Sequence, residues 1–371
     1  MKLQITEEHN CCGCKACGDA CEFGAISYET NKEGFWYPKI NSEKCISCQK
    51  CKLVCPSLNN IKKMQMRDEP LVYAAWTKDK KMRLYSTSGG MYYPAAKQVL
   101  DDGGCVVACR FTDDWKHAEH IVVENKFDLM QTVRSKYFQS ETEGIYRNVK
   151  SLLDSGREVL FCGCPCQSAA LQLFLGKTYE NLLTMDFICR GINSQRAFSA
   201  FIEELEEQFQ SKVVSVHCKN KRKGWKSLGV LIEFENGEEY YETRSNSYWS
   251  LGYIRDNLYM RPSCHECHYR SIPRISDITI GDFWGITGIS EEDMFSGVSV
   301  LMINTEKGER FVERYKDTLT LTEKTVQDVY KGNPCLLESP KEGTKRELFF
   351  ELLDTMKFSD AVQECCGKLG C

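Results

Sequence analysis

Nine of the chain's 22 cysteines lie in its first 55 residues, in CCGCKACGDACEFG (11–24) and CISCQKCKLVCP (45–56). Thiols at such density pair as disulfides, bind zinc, or hold iron–sulfur cubes. Cys11, Cys14, Cys17 and Cys21 follow C-x2-C-x2-C-x3-C, and Cys45, Cys48, Cys51 and Cys55 repeat it. Three thiolates two residues apart can each reach a different iron of one cube. The fourth, after a gap of three, is carried to the other cube. The spacing therefore assigns one [4Fe-4S] cluster to Cys11, Cys14, Cys17 and Cys55, and another to Cys45, Cys48, Cys51 and Cys21. Zinc sites usually pair two C-x2-C knuckles across a long spacer, and disulfides need an oxidising compartment. Cys12 is an extra thiol that could compete with Cys11.

The chain that carries these thiols has 371 residues, 42% hydrophobic and 27% charged. That is enough for a large core and two or three domains. A net charge of -4 and a pI near 6.0 argue against general nucleic-acid binding. Apolar runs such as CVVAC and VLFCG are far shorter than a bilayer requires, and MKLQITEEHN offers no apolar stretch for a secretory signal. A cytoplasmic protein without a membrane span is expected.

Residues 1–60 read as the two-cluster module, 61–70 as a polar linker, 71–340 as a second domain, and 341–371 as a helical tail. In the second domain, β-rich runs (71–76, 105–111, 120–124, 158–163, 182–189) alternate with helical patterns (89–103, 144–155, 165–175, 194–210), which implies helices packed on a sheet. From about 212 strands dominate, with a hairpin at Asn236-Gly237. The fold class expected is α+β or α/β: a ferredoxin-like module followed by a mixed α/β domain.

The first 60 residues resemble a bacterial two-cluster ferredoxin, with GAISYE as its short strand and Glu22 where a proline is usual. Seven motifs then occur in order: TSGG (87–90), SKYFQS (135–140), FCGCPCQSAAL (161–171), FICRGINS (187–194), KGW (223–225), RPSCHECHYR (261–270) and DITIGDFWGI (277–286). Together they resemble the beta-subunit family of coenzyme F-420 hydrogenases and dehydrogenases. The resemblance implies an FAD held by Ser88, Gly89 and Gly90 at a helix start, by Ser135, Lys136 and Tyr137, by Gly163, Pro165 and Gln167 in a strand-to-helix turn, and by Trp225, Asp282 and Trp284. The family usually has threonine where this chain has Cys164. A third [4Fe-4S] cluster is implied within this core. Cys264 and Cys267 form its knuckle, Cys166 and Cys189 are its completing pair, and Cys162 and Cys164 are rival ligands. Cys105, Cys109, Cys218 and Cys335 read as core residues. The basic run KNKRKGWK (219–226) reads either as a patch steering an anion or as a solvated loop.

Clusters move single electrons, and a flavin converts them to two-electron chemistry. The resemblance thus implies an oxidoreductase taking electrons from ferredoxin or a redox partner subunit and passing them to a small organic substrate. Two alternatives stand beside it: the electron-input subunit of a larger hydrogenase or dehydrogenase, and a deazaflavin (coenzyme F-420) oxidoreductase. No residue is singled out as a general acid or base.

Overall fold

The computed structural model describes residues 4–59 and 66–368; most of the stretch expected as a linker, and Cys371, lie outside them. Fourteen strands run through the described residues. A hairpin of β1 (Ile26–Thr30) and β2 (Trp36–Ile40) stands beside the cysteine runs. The main sheet comprises β3 (Leu71–Thr77), β4 (Cys105–Phe111), β5 (Ala118–Val123), β6 (Ser140–Glu141), β7 (Val159–Cys162) and β8 (Leu182–Phe187). A second, antiparallel sheet of β9 (Val213–Asn220), β10 (Gly229–Phe234) and β11 (Glu239–Thr243) follows. The chain then returns to the main sheet with β12 (Ile278–Asp282), β13 (Ser299–Ile303) and β14 (Leu319–Lys324). The resulting nine-stranded order is β14-β3-β13-β12-β8-β7-β4-β5-β6.

At the middle of this sheet β4, β7, β8 and β12 are mutually parallel. Their sequences explain why. Val107 and Phe161 face one side with Val159, while Val106, Ala108 and Leu160 face the other, and all are buried. A strand covered on both faces has no polar alternation, so it reads as an unbroken apolar run. Helices Ile145–Asp154 and Pro165–Leu175 cover the first side through Tyr146, Val149, Ala170 and Leu171. Helix Tyr92–Asp101 covers the second through Ala95, Ala96 and Val99. The helices expected over 144–155, 165–175 and 194–210 form within a residue or two of those limits. The hairpin at Asn236-Gly237 also forms, with Gly237 at φ +85°. The stretch 89–103 is helical only from Tyr92. Among the described residues, no helix is long and apolar enough to cross a membrane.

The cysteine-rich segment packs on the side of the main sheet that helices Ile145–Asp154 and Pro165–Leu175 cover. Asp19 supplies a carboxylate to the start of helix Ile145–Asp154, accepting from Gly144 N at 2.7 Å and Tyr146 N at 3.0 Å. Those N–H groups have no partner inside the helix, and a carboxylate suits the positive end of its dipole. The Cys14 carbonyl accepts from the Thr142 and Tyr146 hydroxyls, each at 2.8 Å. Arg261, wholly buried, donates to the Cys11 carbonyl (2.6 Å), the Trp36 carbonyl (2.9 Å) and Gln139 Oε1 (3.1 Å). Its guanidinium also lies over the rings of Tyr37 and Phe35. Gly13, at φ +68°, passes so close that a β-carbon there would stand 2.7 Å from the Arg261 guanidinium.

Candidate iron–sulfur and flavin site

The repeat in the sequence is also a repeat in the backbone. Gly13 and Lys15 flank Cys14 with left-handed φ of 68° and 60°, and Ser47 and Gln49 flank Cys48 with 59° and 63°. One-turn helices Ala16–Asp19 and Lys50–Leu53 follow at matching places. Left-handed residues on both sides of the middle cysteine curl each loop back on itself. Cys11, Cys14, Cys17 and Cys55, the first set expected from spacing, line one small hollow together with Cys12. Cys45 and Cys48 both bear electrostatically on Cys51, and Cys21 Sγ accepts from Ala25 N at 3.3 Å. Among the described residues no three His, Cys, Asp or Glu side chains converge as the ligands of a single metal ion would. The first set instead surrounds a space, which suits a cube with one thiolate at each corner.

A further group of thiols gathers where the cysteine-rich segment meets the main sheet. Cys166, at the start of helix Pro165–Leu175, interacts with Cys12 and Cys164. Cys164 reaches Cys189, Cys189 neighbours Cys264, Cys264 neighbours Cys267, and Cys267 feels Cys12. The four expected core ligands thus belong to one interacting ring of thiols, which also takes in Cys12 and Cys164. The sequence pairs Cys12 with Cys11 as a competitor, and contact across the two segments is invisible to it. Cys264 Sγ accepts from Ile192 N at 3.3 Å, and burial pushes its thiol up to about 12. Gly191, at φ +148°, allows this approach, since a β-carbon there would meet Met260 Sδ at 2.8 Å. Cys162, a rival ligand on sequence grounds, neighbours Cys164 as well, its thiol pushed up to about 12 by burial and by Asp186.

Beside the ring lies a cavity of about 490 Å³. It opens beyond the carboxyl ends of the parallel strands, with residues of β4, β7, β8 and β12 in its wall. Open α/β sheets bind ligands there because successive loops diverge and leave a crevice. Ser88, Gly90, Ser135, Lys136, Tyr137, Gly163, Gln167, Asp282 and Trp284 all line it, as do Cys164 and Cys189. Gly89, Pro165 and Trp225 do not. Pro165 is the first residue of its helix. Trp225 is buried behind Trp284, their rings stacked 4.6 Å apart, and its Nε1 donates to Asp282 Oδ1 at 2.8 Å. It supports the wall without forming it.

Two expected roles change. Ser88 and Gly89 do not open a helix with free N–H groups: Ser88 Oγ donates to the Val298 carbonyl, and Gly89 N to Ser299 Oγ. Lys136 turns its ammonium onto the carbonyls of Gln131, Thr132 and Val133 at 3.0–3.1 Å, capping helix Lys126–Thr132. Burial holds that lysine down at about 8.

Other cations stand in the cavity wall as well. The basic run 219–226 is split by the period of two in β9 and the turn after it. Lys219 enters the cavity wall, 2.6 Å from Asp282 and over the rings of Tyr137 and Trp284. Lys221 is buried on the carbonyls of Arg83, Ser88 and Ser296, whereas Arg222 pairs with Glu239 at the surface. Arg134, Arg190 and Arg244 also line the cavity. Cys109 and Cys335, read as core, are in its wall too. Burial pushes Asp282 up, but Lys219 and the Trp225 indole outweigh it and hold the carboxyl below its ordinary range. Lys219→Ala leaves that carboxylate buried without its cation. It should cost about 3 kcal/mol in chemical denaturation, with most recovered in Lys219→Ala/Asp282→Asn. Equal losses in the single and double variants would show the pair to be irrelevant.

Tyr253 and Arg190 line the cavity, while Tyr253 Oη and Arg190 Nε themselves are buried without a partner. Aromatic residues and arginines around one hollow suit the ring faces and phosphates of a flavin nucleotide.

Residues 10–59 match the 4Fe-4S dicluster domain, and residues 156–329 match the C terminus of the coenzyme F420 hydrogenase/dehydrogenase beta subunit. No curated protein matches the chain. Among solved structures, a chain of the F420-reducing [NiFe] hydrogenase complex from Methanosarcina barkeri is similar at 16% identity and a TM-score of 0.48, over 82% of this chain and 94% of that one. The chain therefore carries a 4Fe-4S dicluster domain ahead of a segment that matches the C terminus of the coenzyme F420 hydrogenase/dehydrogenase beta subunit.

Proposed function

We propose that this protein is an iron–sulfur flavoprotein that takes single electrons from a redox partner and delivers them in pairs to an organic acceptor. The observation that carries this reading is shared lining: Cys164 and Cys189 belong both to the ring of thiols and to the wall of the large cavity. Three clusters and an FAD, when bound, would supply one-electron transfer and its conversion to two-electron chemistry.

The chain's own residues prepare each place. Cys11, Cys14, Cys17 and Cys55 hold one cluster, Cys21, Cys45, Cys48 and Cys51 a second, and Cys166, Cys189, Cys264 and Cys267 a third. Tyr137 and Trp284 offer ring faces to the flavin. Arg134, Arg190 and Arg244 offer charge to its phosphates. The second cysteine run lies at the surface, where Ile46 and Leu53 are exposed beside Lys44 and Lys52. That mixture of apolar and cationic groups suits a ferredoxin or partner subunit with an acidic docking face.

Anaerobic purification with iron, acid-labile sulfide and flavin quantified per chain tests the reading. About twelve irons, about twelve sulfides and one flavin are expected, since each cube holds four of each. About eight irons would remove the core cluster from the proposal, and a colourless chain would end it. Turnover of deazaflavin or an unsaturated organic acceptor by the chain alone, with reduced ferredoxin, separates an enzyme from an electron-input subunit.

A further inference from the structure

The two cysteine runs share a backbone but differ in one side chain at a matched place. Lys15 follows Cys14 in the first loop and Gln49 follows Cys48 in the second, both left-handed, at φ 60° and 63°. Lys15 lines the small hollow with Cys11, Cys14, Cys17 and Cys55, and its side chain is only 7% exposed. Gln49 is exposed. The second loop has lysines of its own, but Lys44, Lys50 and Lys52 all lie at the surface, and Lys50 pairs there with Glu22.

Lys15 is fixed in its place. Its ammonium stands 4.5 Å from the centre of the Tyr28 ring and 4.8 Å from that of Trp36, and both of these residues line the same hollow. Glu141 of β6 pairs with it, and Glu143 follows at 3.4 Å. Those carboxylates are 43% and 63% exposed, so water screens them more than it screens the lysine. Asp19, the buried carboxylate of this segment, is taken up by the N–H groups of Gly144 and Tyr146. The first loop thus keeps a buried cation at its hollow, where the second has only exposed ones.

We propose that Lys15 raises the reduction potential of the cluster held by Cys11, Cys14, Cys17 and Cys55 above that of its twin, so that an electron entering at the exposed second run passes inward. This rests on the two N-terminal clusters of the reading above. A cube with four thiolates is already negative, and reduction adds one more unit of charge. Enclosure alone disfavours that addition. A cation in the same poorly solvated place offsets it, whereas a lysine in water is screened. The transfer makes and breaks no bond: the redox partner reduces the outer cluster by one electron, and the outer cluster is reoxidised as the inner one is reduced.

The test is metal analysis together with an EPR-monitored redox titration of the anaerobically purified full chain. Lys15→Gln, which copies the second loop, should keep wild-type iron and sulfide while the higher of the two N-terminal midpoint potentials moves to more negative values. Lys15→Arg keeps the charge and should stay near wild type. Gln49→Lys sets a cation in water and should move the lower potential far less. Glu141→Gln leaves the ammonium with one carboxylate fewer and should move the higher potential to more positive values, a readout available even where Lys15→Gln fails to fold. Full iron with unmoved potentials in Lys15→Gln or Glu141→Gln would overturn the proposal, as would equal shifts in Lys15→Gln and Lys15→Arg. A wild-type chain with fewer than about eight irons would refute the N-terminal clusters, and the proposal with them; about eight would remove only the core cluster and leave it standing.

Discussion

Cys264→Ser should lower bound iron and acid-labile sulfide by about four each per chain while leaving the two N-terminal clusters in place. The expectation follows from position. Cys264 is enclosed, with Ile192 N aimed at its sulfur at 3.3 Å, and it neighbours both Cys189 and Cys267. An alcohol oxygen is a shorter and harder ligand than a thiolate, and the Met260–Gly191 contact behind it leaves the chain little room to follow. Because the ring adjoins the large cavity, the variant should also lose reduction of any bound flavin by dithionite-reduced ferredoxin. Iron analysis and EPR of the reduced protein check the first part, and anaerobic stopped-flow absorbance the second. Unchanged iron would show that the core ligands lie elsewhere in the ring.

The second large effect belongs to Arg261→Ala. This guanidinium joins the cysteine-rich segment to the main body by three hydrogen bonds, two of them to backbone carbonyls of that segment. Removing it strands buried acceptors at Cys11, Trp36 and Gln139 and opens space beneath Tyr37. A loss of about 3–5 kcal/mol is expected. The damage should be local as well as global, because the Cys11 carbonyl sits between two candidate ligand sets. Thermal melts should show the drop, and chelator challenge should release N-terminal iron faster than from wild type. Arg261→Lys should rescue little, since one ammonium cannot reproduce a fork that reaches three acceptors. Wild-type melting and wild-type chelator resistance in Arg261→Ala would mean the two parts are held by other contacts.

How much of this is legible in the residues alone depends on how far the interacting groups lie apart in sequence. The cysteine runs are local: a cluster loop is specified within a dozen residues, and the repeated left-handed pairs around Cys14 and Cys48 bear the spacing out in the backbone. Buried parallel strands are also local signals, because cover on both faces leaves an unbroken apolar run. The cavity wall is only partly legible. Nine of the twelve residues expected to hold a flavin line it, but Lys136 is spent on helix carbonyls and Trp225 is stacked behind Trp284. Lys219, which also lines it, sits in a basic run that reads either as an anion-steering patch or as a solvated loop.

By itself the sequence determined that thiolates would hold inorganic clusters at the N-terminus and that an α/β sheet would follow, since both rest on spacing and periodicity between near neighbours. Only the tertiary structure decided which thiols meet across segments, Cys12 with Cys166 and Cys164 with Cys189. It also decided which cations face the cavity and which are consumed by carbonyls. Those outcomes depend on how helices and loops far apart in the chain pack against one another, and no local pattern of residue types encodes that distance.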